Sequence, residues 1–198
     1  MEFKLWILLH ELQSDAYEWV DLSHSLNNDS PCWSGVPDGA VELNNTVFDW
    51  GNPILECQIQ TFKFPGQFGT HIDFPGHFIQ GADLSEKFDV KKMFFSLCII
   101  DISEKAANDM HYAVTVEDIK AYEAKYGPIP DGAFVALRTD WAKHWPDINA
   151  ICGIAEDGSE HFPGWSLEAL QYLYEERHAA ANLSLIHISE PTRQEAIS

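Results

Sequence analysis

Two histidines, an aspartate and a glutamine fall within eleven positions, at Gln67, His71, Asp73 and His77, interleaved with Gly69, Thr70, Pro75 and Gly76. Neutral imidazole nitrogens and carboxylate oxygens are donors that zinc and manganese accept readily. If residues 69–74 run extended, side chains alternate faces, so Gln67, His71 and Asp73, all at odd positions, project to one side and grip one cation. Pro75 fixes its own φ and Gly76 relaxes the next residue, which lets the chain turn and carry His77 back over that face. A cation held by two or three side chains keeps positions open for water, lowers the pKa of that water and supplies hydroxide near neutral pH. His77, beside the water, is then the acid/base residue that takes its proton and delivers it to a leaving amine. Amide or ester hydrolysis is the reaction class. The plain alternative is a polar turn in which Asp73 bonds backbone amides and both histidines face solvent; spacing leaves the two readings open.

The elements that must position these residues read as α/β with a mixed sheet. Leu5, Leu8, Leu9 and Leu12 recur at helical spacing, so the first fifteen or so residues predict an amphipathic helix that packs on the domain or on a second subunit. Residues 19–26 read as a short strand before the Asn27 to Pro31 loop, and residues 54–64 as a strand leading into the motif. The apolar runs 97–102 and 133–138 read as buried strands. Between them Thr115 caps a helix through about Tyr126, with Asp118 at the third position and Gly127 at its end. Ser166 caps a last helix carrying Leu167, Leu170 and Leu173. Thr139 and Asp140 end a strand, where α/β sites gather, although Asp140 reads better as the cap of the next turn.

Composition bounds the function. A chain of 198 residues with 45% hydrophobic and 22% charged residues fits one domain with a substantial core. Twelve Lys and Arg against thirty-one Asp and Glu give a formal charge of −19, which repels phosphate backbones and anionic lipid surfaces, so nucleic acid and membrane are excluded as partners. Cys32, Cys57, Cys98 and Cys152 form no Cys-x-x-Cys pair and read as reduced thiols. The apolar patch at 5–9 is interrupted by His10 and Glu11, too soon for a signal peptide or a membrane span, and a cytoplasmic protein is the expectation. His10, His24, His111, His144 and His178 lack ligand-like neighbours and read as structural or exposed. Trp33, Trp50, Trp141, Trp145 and Trp165 read as core or subunit-contact residues, with stacking on a planar aryl substrate as the alternative.

The motif resembles His-x-Gly-Thr-His-x-Asp-x-Pro-x-His, the signature of the cyclase family that includes bacterial kynurenine formamidases and isatin hydrolase. Gly69, Thr70, His71, Asp73, Pro75 and His77 match it. Further similarity lies in Trp19, Asp21, Leu22 and Ser23, in Pro31 and Trp33, in Leu137 to Trp141, and in Phe162 to Ser166, so the resemblance spans about residues 19–182. It implies the family's swivelling β/β/α domain, commonly a homodimer. It also implies a divalent metal, Zn or Mn, on His71 and Asp73, His77 as acid/base residue, and Trp33 lining the substrate pocket. The implied activity is hydrolysis of an aryl formamide such as N-formylkynurenine. Alternatives are an isatin-type or lactone hydrolase acting on a cyclic carbonyl, and a non-catalytic dimeric binding module. The chain departs from the signature at Gln67, where the family has histidine. An amide oxygen is a weaker zinc ligand, which shifts preference towards manganese or leaves Gln67 only hydrogen-bonding near the site.

The chain departs again at its end. Residues 183–193 resemble the translation of a sequencing-library adapter, and the expected division is a hydrolase domain over 1–182, incomplete at its C-terminal side, and a non-native tail over 183–198. His187 is therefore set aside.

Overall fold

Helix α1 (Lys4–Leu12) precedes an antiparallel pair, β1 (Glu42–Phe48) and β2 (Ile59–Lys63). There follow β3 (Leu97–Asp101), α2 (Ser103–Asn108), β4 (Ala113–Val114), α3 (Val116–Tyr126), β5 (Phe134–Arg138) and α4 (Ile148–Cys152). The order closes with β6 (Gly164–Trp165), α5 (Leu167–Gln171) and β7 (Ala181–Ser184). The protein is represented by a computed structural model, which describes residues 3–33, 35–51, 53, 54 and 56–184. Of the expected tail, residues 185–198 lie outside the described residues. Leu183 and Ser184 end β7, paired with Ala136 and Leu137 of β5.

The core forms where the sequence is most apolar. Strands β3, β5 and β7 make a parallel sheet in the order β3-β5-β7. Side chains of β3 alternate as the pleat requires: Cys98 and Ile100 are buried, while Leu97 and Ile99 remain 51% and 49% exposed. Cys98, Ile100, Val135 and Leu137 pack in one cluster with Val114, Ile119, Ala169 and Leu173, so α3 and α5 cover one face of the sheet. Antiparallel and parallel pairing are both present, in separate sheets, and β4 pairs with β6 in parallel.

Helix α3 begins and ends where its flanking residues dictate. Thr115 Oγ1 accepts from the Asp118 backbone N–H at 3.3 Å and Asp118 Oδ2 accepts from the Thr115 N–H at 2.9 Å, a closed capping box. Gly127, at φ +94°, stops it. The Asp118 carboxylate also takes Lys105 and the Tyr112 hydroxyl, tying α2 and the residue just before β4 to the start of α3. At the other end, Arg177 pairs with both oxygens of Glu123 at 2.6 and 3.1 Å, and Tyr172 donates to the same carboxylate at 2.9 Å. Ser166 caps α5 as expected, accepting from the Ala169 N–H at 3.1 Å, and the helix then widens into a π-helical turn over Tyr172–Glu176.

Three expectations change. The first helix is shorter, covers only Lys4–Leu12 and, among the described residues, has none buried, Leu5 being 75% exposed. Residues 19–26 form neither strand nor helix. The strand before the motif is limited to Ile59–Lys63 and is exposed throughout, because the chain still bends at residues 56 and 57.

Candidate metal centre

The chemistry-bearing stretch is a turn rather than a strand. Beyond β2, Phe68 is buried and rests against Phe64 with centroids 5.9 Å apart, and its N–H donates to the Pro65 carbonyl at 3.2 Å. Residues 66–70 turn and bend, with Gly69 at φ +69°, where a Cβ would be strained. The expected odd-residue alternation from Gln67 through Asp73 is broken at that glycine: Gln67 stays exposed in the turn, while His71 and Asp73 are drawn inward.

His71 and Asp73 face each other. His71 Nδ1 lies 2.8 Å from the Gly69 carbonyl oxygen. A carbonyl only accepts, so Nδ1 carries the proton and Nε2 is the nitrogen that could coordinate a metal. Nε2 lies 3.4 Å from Asp73 Oδ1, and the two side chains are 10% and 22% exposed. Asp73 Oδ1 itself is buried without a hydrogen-bond partner. Burying a carboxylate oxygen unsatisfied is costly unless a cation or donor meets it. Two donors on one tetrahedral ion at the usual ~2.1 Å bond lengths stand ~3.4 Å apart. The donor types, the tautomer, the orphaned oxygen and the separation all fit a divalent cation bridging His71 and Asp73. Among the described residues, no third His, Cys, Asp or Glu completes a cluster with them.

His77 sits one turn further on. Pro75–His77 form a single 3₁₀ turn, with the His77 N–H donating to the Phe74 carbonyl at 2.8 Å. Gly76 is required there by close approach: a Cβ would lie 2.7 Å from the Ala82 carbonyl oxygen, and the Gly76 N–H donates to the Asp83 carbonyl at 2.9 Å. Phe74 packs on Phe88 at 4.6 Å, fixing the turn from the other side. The half-buried His77 ring meets Phe78 edge-on at 4.2 Å. Trp33, half-buried, lays its indole over Gly35, where a Cβ would come within 2.2 Å of the ring.

At the end of β5, Thr139 is buried and accepts from the Trp141 N–H at 3.1 Å. Asp140 adopts a left-handed conformation at φ 61° and makes no side-chain cap, a correction to its expected role. The reason is charge: its carboxylate is drawn to Arg138 at 3.0 Å and Lys143 at 2.7 Å. Hydrogen bonds from Lys143 and then Arg138 hold the Asp140 carboxyl below the usual carboxylate range. All four cysteines are free. Burial first, and the Glu160 carboxylate second, push the Cys152 thiol up to about 11, which argues against a thiolate nucleophile.

Two residues that the sequence left as structural stand beside the motif. The His24 N–H donates to Thr70 Oγ1 at 3.3 Å, and the His24 ring stacks on Trp145 with centroids 4.3 Å and planes 1° apart. The available signal was the position of His24 directly after Asp21, Leu22 and Ser23.

Residues 20–184 match the family described as "Putative cyclase". The chain is 38% identical over 173 residues to the isatin hydrolase of Roseibium aggregatum, covering 82% of this chain and 65% of that protein. It therefore spans about two thirds of that relative's length. Isatin hydrolase A from Ralstonia solanacearum superimposes with a TM-score of 0.76 at 26% identity, covering 93% of this chain and 72% of that one. Isatin hydrolase A from Labrenzia aggregata bound to benzyl benzoate gives 0.79 at 27% identity, over 92% and 73%. An isatin hydrolase bound to the product analogue thioisatinate gives 0.78 at 31% identity, over 91% and 71%.

Proposed function

The chain belongs to the cyclase family, and from that membership we propose that it is a metal-dependent hydrolase of a cyclic amide of the isatin type. The observation that carries the reading is the facing pair of His71 Nε2 and the orphaned, buried Asp73 Oδ1. Similarity to isatin hydrolases over most of the chain favours the cyclic amide over the open-chain aryl formamide, which shares the same motif.

His71 and Asp73 would hold a divalent cation, Zn or Mn; Gln67, exposed in the turn, is left out of this donor set. When bound, such an ion polarises a carbonyl and acidifies water near neutral pH. The protein's own residues supply the rest. The Gly69 carbonyl keeps His71 in the Nδ1–H tautomer, leaving Nε2 as donor. His77 takes the proton from the attacking water and passes it to the ring nitrogen as the C–N bond breaks, so an amine and a carboxylate result. Trp33 offers an aromatic face for the fused aryl ring. The exposed leucines of α1 support a homodimer, since a helix with that much apolar surface finds its cover on another chain.

Isatin turnover followed by absorbance tests this. The expected results are loss of activity on chelation, recovery with Mn or Zn, and a fall of at least ~10² in kcat for His77→Ala. Full activity of the metal-stripped protein, or of His77→Ala, would sink the mechanism. N-formylkynurenine and simple lactones in the same assay separate the open-chain and ester readings. Gln67 favours one competitor, a dimeric module that binds a ligand without turning it over. Near-stoichiometric metal in the purified protein together with isatin turnover rejects it.

A further inference from the structure

Residues 66–74 have neither helix nor strand of their own, so the positions of His71 and Asp73 depend on whatever packs against this turn. The segment around His24 and Leu26, itself without helix or strand, does so. Leu26 fills the space beside Gly69, its Cδ2 lying 2.4 Å from where a Cβ on that glycine would be. Two residues earlier, the His24 N–H reaches Thr70 Oγ1. The segment therefore straps the two residues immediately before His71, and Gly69 is the residue whose carbonyl sets the His71 tautomer.

A strap restrains only if it is itself anchored. His24 is anchored by its flat stack on Trp145. Trp145 closes the 3₁₀ turn Trp141–His144, its N–H donating to the Ala142 carbonyl at 3.2 Å. That turn is tied to α4 by the Trp141 indole N–H, which donates to the Ile151 carbonyl at 2.7 Å, and it follows buried Thr139 at the end of β5.

We propose that Trp145 is a positioning residue for the metal ligand His71, acting through the stacked His24 ring and the strap that holds Thr70 and Gly69. The inference rests on the reading of His71 and Asp73 as ligands. Its physical content is orientation: with the strap loose, Gly69 is released from its left-handed conformation, its carbonyl no longer holds Nδ1–H, and the imidazole samples both tautomers.

Titration of the metal-stripped full chain with Mn, followed by calorimetry, tests it. Trp145→Ala and Thr70→Val are each expected to weaken binding about tenfold, the lower range for lost outer partners of a metal ligand. Trp145→Phe, which keeps an aromatic face, restores most of the affinity. Because both variants cut the same path, the double variant should bind about as weakly as the worse single one. Long-range nitrogen spectra of the His71 imidazole should show the Nδ1–H tautomer in the wild type and a mixture in Trp145→Ala. Arg177→Met, which breaks the distant Glu123 pair, is the stability control and should leave Mn affinity unchanged. Unchanged affinity in Trp145→Ala, strictly additive losses, or an equal loss in Arg177→Met would overturn the proposal. A wild-type chain that binds no metal would defeat the hydrolase reading instead, and the tautomer spectra would still decide whether the strap orients His71.

Discussion

Nδ1 of His71 donates to the Gly69 carbonyl, so the lone pair of Nε2 points at an Asp73 oxygen that lacks a hydrogen-bond partner. A carboxylate oxygen buried without a donor is costly until a cation meets it, and Nε2 stands 3.4 Å from it. Asp73→Asn separates binding from stability at this point. An amide N–H facing Nε2 replaces the carboxylate oxygen that is buried without a donor, so the metal-free variant is expected to gain up to about 1 kcal/mol. Its Mn affinity should fall by well over tenfold through loss of the anionic ligand. Calorimetric melting of the metal-free proteins and Mn titration measure the two effects. A variant less stable than the wild type, with affinity intact, would show that Asp73 is structural.

The start of α3 carries the electrostatics that matter for folding. Burial pushes the Asp118 carboxyl up, but hydrogen bonds from Lys105, the Thr115 backbone and Tyr112 outweigh it and hold the group below its ordinary value of 3.8. The depressed value means that this stabilisation is present above the unfolded pKa near 3.8 and is lost as pH falls through the folded one. At the far end of the same helix, the Arg177 hydrogen bond lowers Glu123 in the same direction. Acid should therefore unfold the protein by releasing α3 at both ends. Asp118→Asn is expected to cost about 1–3 kcal/mol at pH 7, and to flatten the stability profile below about pH 4. Thr115→Ala, which removes half of the capping box, should cost about 1 kcal/mol. Urea titrations at several pH values give both quantities, and an acid limb that is equally steep in Asp118→Asn would assign the transition elsewhere.

Taken whole, the molecule presents an acidic surface of formal charge −19 and an N-terminal helix with its leucines in solvent. Among the described residues no helix is long and apolar enough to cross a membrane. If the proposed homodimer is built on α1, Leu5→Lys with Leu8→Lys is expected to turn it into a folded monomer, because among the described residues α1 has no buried residue. Light scattering after size exclusion reads the mass, and circular dichroism the fold. Salt should strengthen the dimer by screening repulsion between two acidic copies. An unchanged mass in the double variant would place the interface away from α1.

What the sequence determined is what local physics encodes. Spacing and residue type put His71, Asp73 and His77 forward as site candidates and left a polar turn as the alternative, capping chemistry placed both ends of α3, and apolar runs placed β3 and β5 within a residue or two. The α/β class followed from the same signals, and the cyclase resemblance anticipated the isatin hydrolase fold. Tertiary structure decided the rest, because the deciding contacts join residues far apart in the chain. His24 meets Thr70 across 46 positions and Trp145 across a still longer span, and neither contact leaves a periodicity to detect. The motif's own geometry also escaped the sequence. Strand alternation assumed extended backbone, whereas Leu26 packed against Gly69 accompanies a left-handed turn that exposes Gln67 and turns His71 towards Asp73.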